Sequence, residues 1–98
     1  SKVGCLTIME DFKNVVFGKV SYPIRGQVQA IIRFLCESGS VDEPTAKTRK
    51  EIFDAVKVGV QVVADRWTVS GQFRGKKKKL YTDAIGKSED DSRYWINP

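Results

Sequence analysis

The residues with the clearest chemical potential form a basic run, FRGKKKKLY, at positions 73–81. Six cations and no acids occur between Arg66 and Tyr81, whereas the remaining 11 basic and 12 acidic residues sum to −1. The net charge of +5 therefore resides in residues 66–81. Four adjacent lysines repel one another, and a ligand that carries phosphates turns this repulsion into attraction by releasing its condensed counterions. The pattern predicts a polyanionic partner.

The residues around the lysines favour nucleic acid as that partner. Aromatic rings at both ends of the run can stack on exposed bases, although each ring can equally pack in the core. Arg74 can bind a phosphate bidentately, whereas lysine neutralises phosphate without reading base edges. We therefore predict non-catalytic binding with weak sequence selectivity, with RNA or single strands slightly favoured over duplex DNA. The predicted binding residues are Phe73, Arg74, Lys76, Lys77, Lys78, Lys79 and Tyr81.

Catalytic signatures are missing from the sequence. The chain has no histidine, which removes the commonest general base and metal ligand, and its glycines form no phosphate-binding loop. Cys5 and Cys36 can form one disulfide or remain two small buried thiols, and without histidine they are too few for a zinc site. We expect no enzymatic activity, cofactor, metal or small-molecule substrate.

Two other interpretations of the lysines remain open. The run fits the composition of a nuclear-targeting signal on a protein-interaction or homodimerisation module, and a polybasic segment can also associate with an anionic membrane surface. No apolar run approaches the roughly 20 residues that span a bilayer. We expect an intracellular protein, in either the nucleus or the cytoplasm.

The elements that must position these residues indicate a small single α+β domain. Residues 3–9 and 15–22 are rich in β-branched and apolar side chains and predict an N-terminal β-hairpin, with a bulge or a close backbone approach at Gly18. From Ile24 to Ser38 the apolar residues recur at helical spacing, and Gly39 can end that helix.

A second helix is predicted to start near Asp42 or Glu43. Apolar residues on one helical face favour a continuation to Asp65, although the valines at positions 56, 58, 60 and 62 also alternate as in a strand. If the helix is continuous, its wide apolar face needs a cover, and a homodimer would supply one.

A C-terminal β-hairpin is predicted from the alternation in residues 67–73 and its return at Leu80, with Arg74 to Lys79 as the basic connection. We place the compact domain at residues 1–86. Residues 87–98 are expected to form an acidic, partly ordered segment, whose Glu89, Asp90 and Asp91 are solvated or pair with the lysines. Its closing aromatics can dock as a short edge strand.

Overall fold

Two antiparallel sheets and three α-helices enclose one hydrophobic core in the computed structural model, which describes residues 1–60 and 64–98. The predicted α+β class and single domain are confirmed. A radius of gyration of 12.3 Å fits a chain of 98 residues folded as one unit.

The N-terminal sheet contains the predicted hairpin. Leu6–Met9 and Asn14–Phe17 pair antiparallel, as expected from their alternating apolar residues. Gly4 and Gly18 have positive φ angles of 56° and 60° and divide the two predicted strands at tight turns, so Gly18 is a turn residue and not a bulge. The four strands, in spatial order, are β1 (Lys2–Val3), β2 (Leu6–Met9), β3 (Asn14–Phe17) and β4 (Val20–Pro23).

The first helix, α1, extends over Gly26–Glu37 and matches the prediction closely. Its buried residues are the ones at helical spacing, and Gly39 follows the helix with a φ of 70°. The helix begins two residues later than predicted because Pro23 ends β4 instead of opening the helix.

The predicted long second helix is wrong. Asp42 does cap a helical turn, but that turn is a 3-10 helix, Glu43–Thr45, followed by β5 (Lys47–Thr48) and α2 (Arg49–Val56). After Val56 the chain leaves the helix, Gly59 takes a φ of 83°, and Val58 is 90% exposed. The valines lower helix propensity there, as their alternation indicated, yet positions 57–60 form no strand either. Residues 61–63 of the predicted helix lie outside the described part of the chain.

The part of the predicted apolar face that belongs to α2 packs inside the chain, whereas Val58 beyond it is exposed. Ile52 and Val56 are buried in the core, and the Phe53 ring meets Trp67 edge-on with ring centroids 5.4 Å apart. The continuous helix assumed for that dimer ends at Val56, and homodimerisation stays a prediction.

The strand, basic connection and returning strand predicted for residues 67–82 are also wrong. Ser70–Gln72 forms a 3-10 turn, and Lys77–Ala84 forms a helix, α3. Leu80 and Ala84 lie one helical turn apart and are both fully buried, so the core favours a helix at this position. The lysines are thus helical residues, consistent with the good helix propensity of lysine.

A C-terminal hairpin is present, but its strands are β6 (Ile85–Lys87) and β7 (Arg93–Ile96). β7 is the central strand of a three-stranded sheet with the order β5-β7-β6, and not the edge strand expected of the closing aromatics. Tyr94 and Ile96 are buried, so the last strand belongs to the core. The division expected after residue 86 falls within β6.

Candidate nucleic-acid interface

The basic run is positioned by a tight turn that leads into α3. Gly75 has a φ of 60°, the Lys77 amide donates to the Arg74 carbonyl at 3.1 Å, and the Lys78 amide donates to the Gly75 carbonyl at 3.2 Å. The buried side chains of Leu80 and Ala84 fix the helix against the core. The lysines consequently occupy the N-terminal end of α3.

The cationic side chains point in several directions from this end of the helix. Successive helical residues are about 100° apart, so adjacent lysines cannot form one flat face. Lys77 is half-buried against β4, and the other cations of the run are exposed: Arg74, Lys76, Lys78 and Lys79.

Among the described residues, Lys79 is the cation of the run that forms an ion pair within the protein. Its ammonium lies 3.1 Å from the carboxylate of Asp83, one turn later on the same helix. This hydrogen bond, together with the charge of Asp83, raises the pKa of Lys79 above its ordinary value of 10.5. Part of the charge of Lys79 is therefore compensated within the protein.

The other three lysines have no such compensation. Within residues 1–60 and 64–98, no carboxylate lies within 4 Å of Lys76, Lys77 or Lys78. Asp91 pairs instead with Lys87 at 3.0 Å. The acidic segment thus forms no ion pair with the lysines of α3 in the described structure.

Asp90 is engaged within the turn between β6 and β7. It accepts hydrogen bonds of 2.7 Å from the hydroxyls of Ser88 and Ser92, and these bonds lower the pKa of the Asp90 carboxyl to about 2. This carboxylate helps to shape the turn and is not a partner of the basic run.

The guanidinium of Arg74 is accessible for the phosphate contact predicted for it. The Arg74 side chain is exposed and donates from Nε to the Gly71 carbonyl at 3.2 Å, and no bond from its two terminal nitrogens occurs in the described structure. Those nitrogens are the ones that bind phosphate bidentately.

The two predicted stacking residues differ in accessibility. Phe73 is only 2% exposed, so its ring cannot receive a base in this fold. Tyr81 is half-buried, and burial raises the pKa of its hydroxyl above 10.0. Its accessible side lines an open cleft of about 340 Å³ next to Lys78 and Thr82. The edge of Phe73 also borders this cleft, but of the two rings Tyr81 offers the larger exposed surface.

A further cation, Arg25, joins the basic run through the tertiary fold. Two adjoining clefts of about 330 Å³ each share Pro23 and Lys77, and together they form what we call the β4–α3 cleft. Arg25 directly precedes α1, and no local sequence pattern relates it to residue 77. The cleft is lined by Val20, Ser21, Tyr22, Pro23, Ile24, Arg25, Lys76 and Lys77.

The helix ends near this cleft add to its positive potential. Neither α1 nor α3 has an acidic residue in its first turn, although acidic side chains are favoured there by the helix dipole. Cations at the start of α3 are electrostatically unfavourable for the helix itself. The arrangement can attract anions and has no evident benefit for the fold.

In comparisons with known proteins, no family model, curated protein or solved structure matches this chain. Within the described ranges, the longest helices are too short and too polar to cross a membrane. The same residues contain no group of three His, Cys, Asp or Glu side chains able to hold a metal ion.

Proposed function

We propose that the protein binds nucleic acid non-catalytically, through the phosphate backbone, at the N-terminal end of α3. The observation that carries the proposal is the grouping of Lys76, Lys77 and Lys78 without a carboxylate within 4 Å, as far as the described chain extends. Such an arrangement costs the helix electrostatic stability, and a polyanionic ligand compensates that cost.

The chemistry of the site favours weak sequence selectivity. Ammonium groups neutralise phosphate from many directions, whereas discrimination between bases needs the planar groups of Arg, Asn or Gln at base edges. The backbone amides of Lys77 and Lys78 are already used in the turn, so side chains supply the contacts. With four to six phosphates neutralised, the slope of log affinity against log salt should be about −3 to −5.

The direct test is a fluorescence-anisotropy titration of a labelled oligonucleotide at several salt concentrations. The decisive variant replaces Lys76, Lys77, Lys78 and Lys79 with alanine, which preserves helix propensity and should abolish binding. A matched control removes four exposed cations that do not line the β4–α3 cleft: Lys2, Lys13, Lys57 and Arg66. Thermal unfolding of both variants shows whether the fold is intact. Wild-type protein that does not bind, or that binds equally at all salt concentrations, would refute the proposal, as would equal losses in the two variants.

A further inference from the structure

The β4–α3 cleft has two chemically different parts. In one, the guanidinium-bearing Arg25 and the ammonium-bearing Lys77 come from separate elements and line the same space beside Pro23 and Ile24. In the other, Lys76 and Lys77 border the side chains of β4, including Val20, which is 47% exposed. None of the described residues that line the cleft is acidic.

The first part suits a phosphate. Arginine presents a planar fork that matches phosphate oxygens, and lysine adds a second charge as a point donor. A volume of about 330 Å³ is at the lower end of known ligand pockets, so it suits a small group and not a folded surface.

The second part suits the apolar face of a base or sugar. Val20 and Pro23 leave carbon surface open on the outermost strand of the sheet, directly beside two lysines. A base can reach such a wall only when it is not stacked inside a duplex, as in single strands, loops and ends.

We propose that this cleft binds one nucleotide of a single-stranded nucleic acid, with a phosphate between Arg25 and Lys77 and the base or sugar against Val20 and Pro23. This inference rests on the proposed function and narrows its ligand to single strands. It also adds a reason for the preference for single strands that does not depend on the flanking rings, of which Phe73 is buried.

The test compares a fluorescein-labelled oligothymidylate of about 15 nucleotides with a blunt duplex of the same length, titrated by anisotropy at several salt concentrations. Two variants probe the two parts of the cleft. Arg25→Ala removes the phosphate contact, and Val20→Ser removes the apolar contact. The matched controls are Arg66→Ala, an exposed arginine outside the cleft, and Met9→Ser, an apolar residue of the same sheet that is 45% exposed.

Arg25→Ala should weaken binding of the single strand by about tenfold and make the salt slope shallower by about 0.7. Val20→Ser should weaken it by about threefold with the salt slope unchanged, since no charge is lost. Both controls should stay within about twofold of the wild type. The Arg25 side chain makes no capping bond to α1, so its removal should not unfold the helix.

The outcomes separate this inference from the proposed function. Wild-type protein that binds neither probe overturns both. If the four-lysine variant abolishes binding while Arg25→Ala and Val20→Ser leave it unchanged, the proposal that the cleft binds a nucleotide is overturned, and the proposed function stands. A duplex bound as tightly as the single strand overturns the restriction to single strands.

Discussion

The ring centroids of Phe73 and Tyr81 lie 5.2 Å apart, and the two ring planes are tilted by 48°. The residues that flank the lysine run in the sequence therefore contact each other in the fold. Phe73 occupies the inner position, where it is 2% exposed, and Tyr81 packs on it from outside. The pair connects the core to the basic end of α3. Phe73 serves the stability of the core, and Tyr81 presents part of its ring at the surface.

We expect Phe73→Ala to lower the free energy of unfolding by about 3–5 kcal/mol because it leaves a cavity in the core. That is a large part of the 5–15 kcal/mol typical of a domain, so the variant should be visibly unstable in a urea denaturation series. Tyr81→Ala should cost less, since its ring is half-buried. A stable Phe73→Ala variant that had lost only its nucleic-acid affinity would show that Phe73 is a stacking residue after all.

The carboxylate of Asp83 partly compensates the charge of Lys79, so replacing Asp83 with a neutral residue should strengthen nucleic-acid binding. Asp83→Asn removes the carboxylate 3.1 Å from the Lys79 ammonium. The pKa of Lys79 should fall towards 10.5, which still leaves it charged at neutral pH. We expect about threefold tighter binding and a salt slope steeper by up to about 0.9, measured by anisotropy.

The control for this change is Asp54→Asn, which breaks a similar pair, Lys50–Asp54 at 2.8 Å, on α2. It adds the same net charge at a site outside the β4–α3 cleft. If both variants tighten binding equally, the effect is one of overall charge and not of Lys79.

The parts of the fold that local patterns predict are the ones with long, unambiguous periodicity. In α1 four buried residues recur at helical spacing, and a glycine with positive φ follows its end. Trp67, Val69 and Phe73 are buried, which fits the alternation in residues 67–73, but Gly71 is exposed and Ser70–Gln72 forms a 3-10 turn. Alternation indicates which side chains face the core but does not by itself establish a strand.

Short elements escaped prediction because they carry too few apolar positions. α3 has eight residues and only two fully buried ones, Leu80 and Ala84, so its periodicity is hidden by the lysines. The exposure of the lysines follows from their charge, but the proximity of Arg25 to Lys77 depends on how α1, β4 and α3 pack together. Such tertiary proximity has no local sequence signal.

Cys36 should react slowly with alkylating agents in the folded protein. Burial, with a smaller contribution from the charge of Glu37, raises the pKa of the Cys36 thiol from 9.0 to about 12. At pH 8 we expect iodoacetamide to modify it at least about a hundredfold more slowly than in urea, because only the thiolate reacts. Mass spectrometry of a labelling time course measures the rate.

The raised pKa of the Cys36 thiol also makes the free energy of unfolding depend on pH. The folded thiol has the higher pKa, so its contribution to stability is fully present below pH 9.0 and is lost as the pH rises towards 12. Cys36→Ala should remove this component from the alkaline unfolding curve. Rapid labelling of Cys36 in the native protein would contradict the burial on which the shift depends.

Lys78→Glu should change stability and nucleic-acid binding in opposite directions. Residue 78 is the second residue of α3, whose first turn has no acidic side chain. A glutamate there interacts favourably with the helix dipole and the neighbouring lysines, so the free energy of unfolding should rise by about 0.3–1 kcal/mol. Binding should weaken by about tenfold or more, because the substitution changes the charge of the site by two.

Thr82→Glu is the matched comparison, since residue 82 lies one turn further along the same side of α3 and its side chain is exposed. A negative charge near the C-terminal end of the helix opposes the dipole, whereas Lys78 and Lys79 one turn earlier attract it. This variant should therefore be less stable than Lys78→Glu and should weaken binding less than Lys78→Glu does. Urea denaturation and anisotropy on the same samples separate the two effects. If Lys78→Glu instead destabilised the protein, the lysine would stabilise α3 itself, and the electrostatic cost that argues for a polyanionic ligand would not exist.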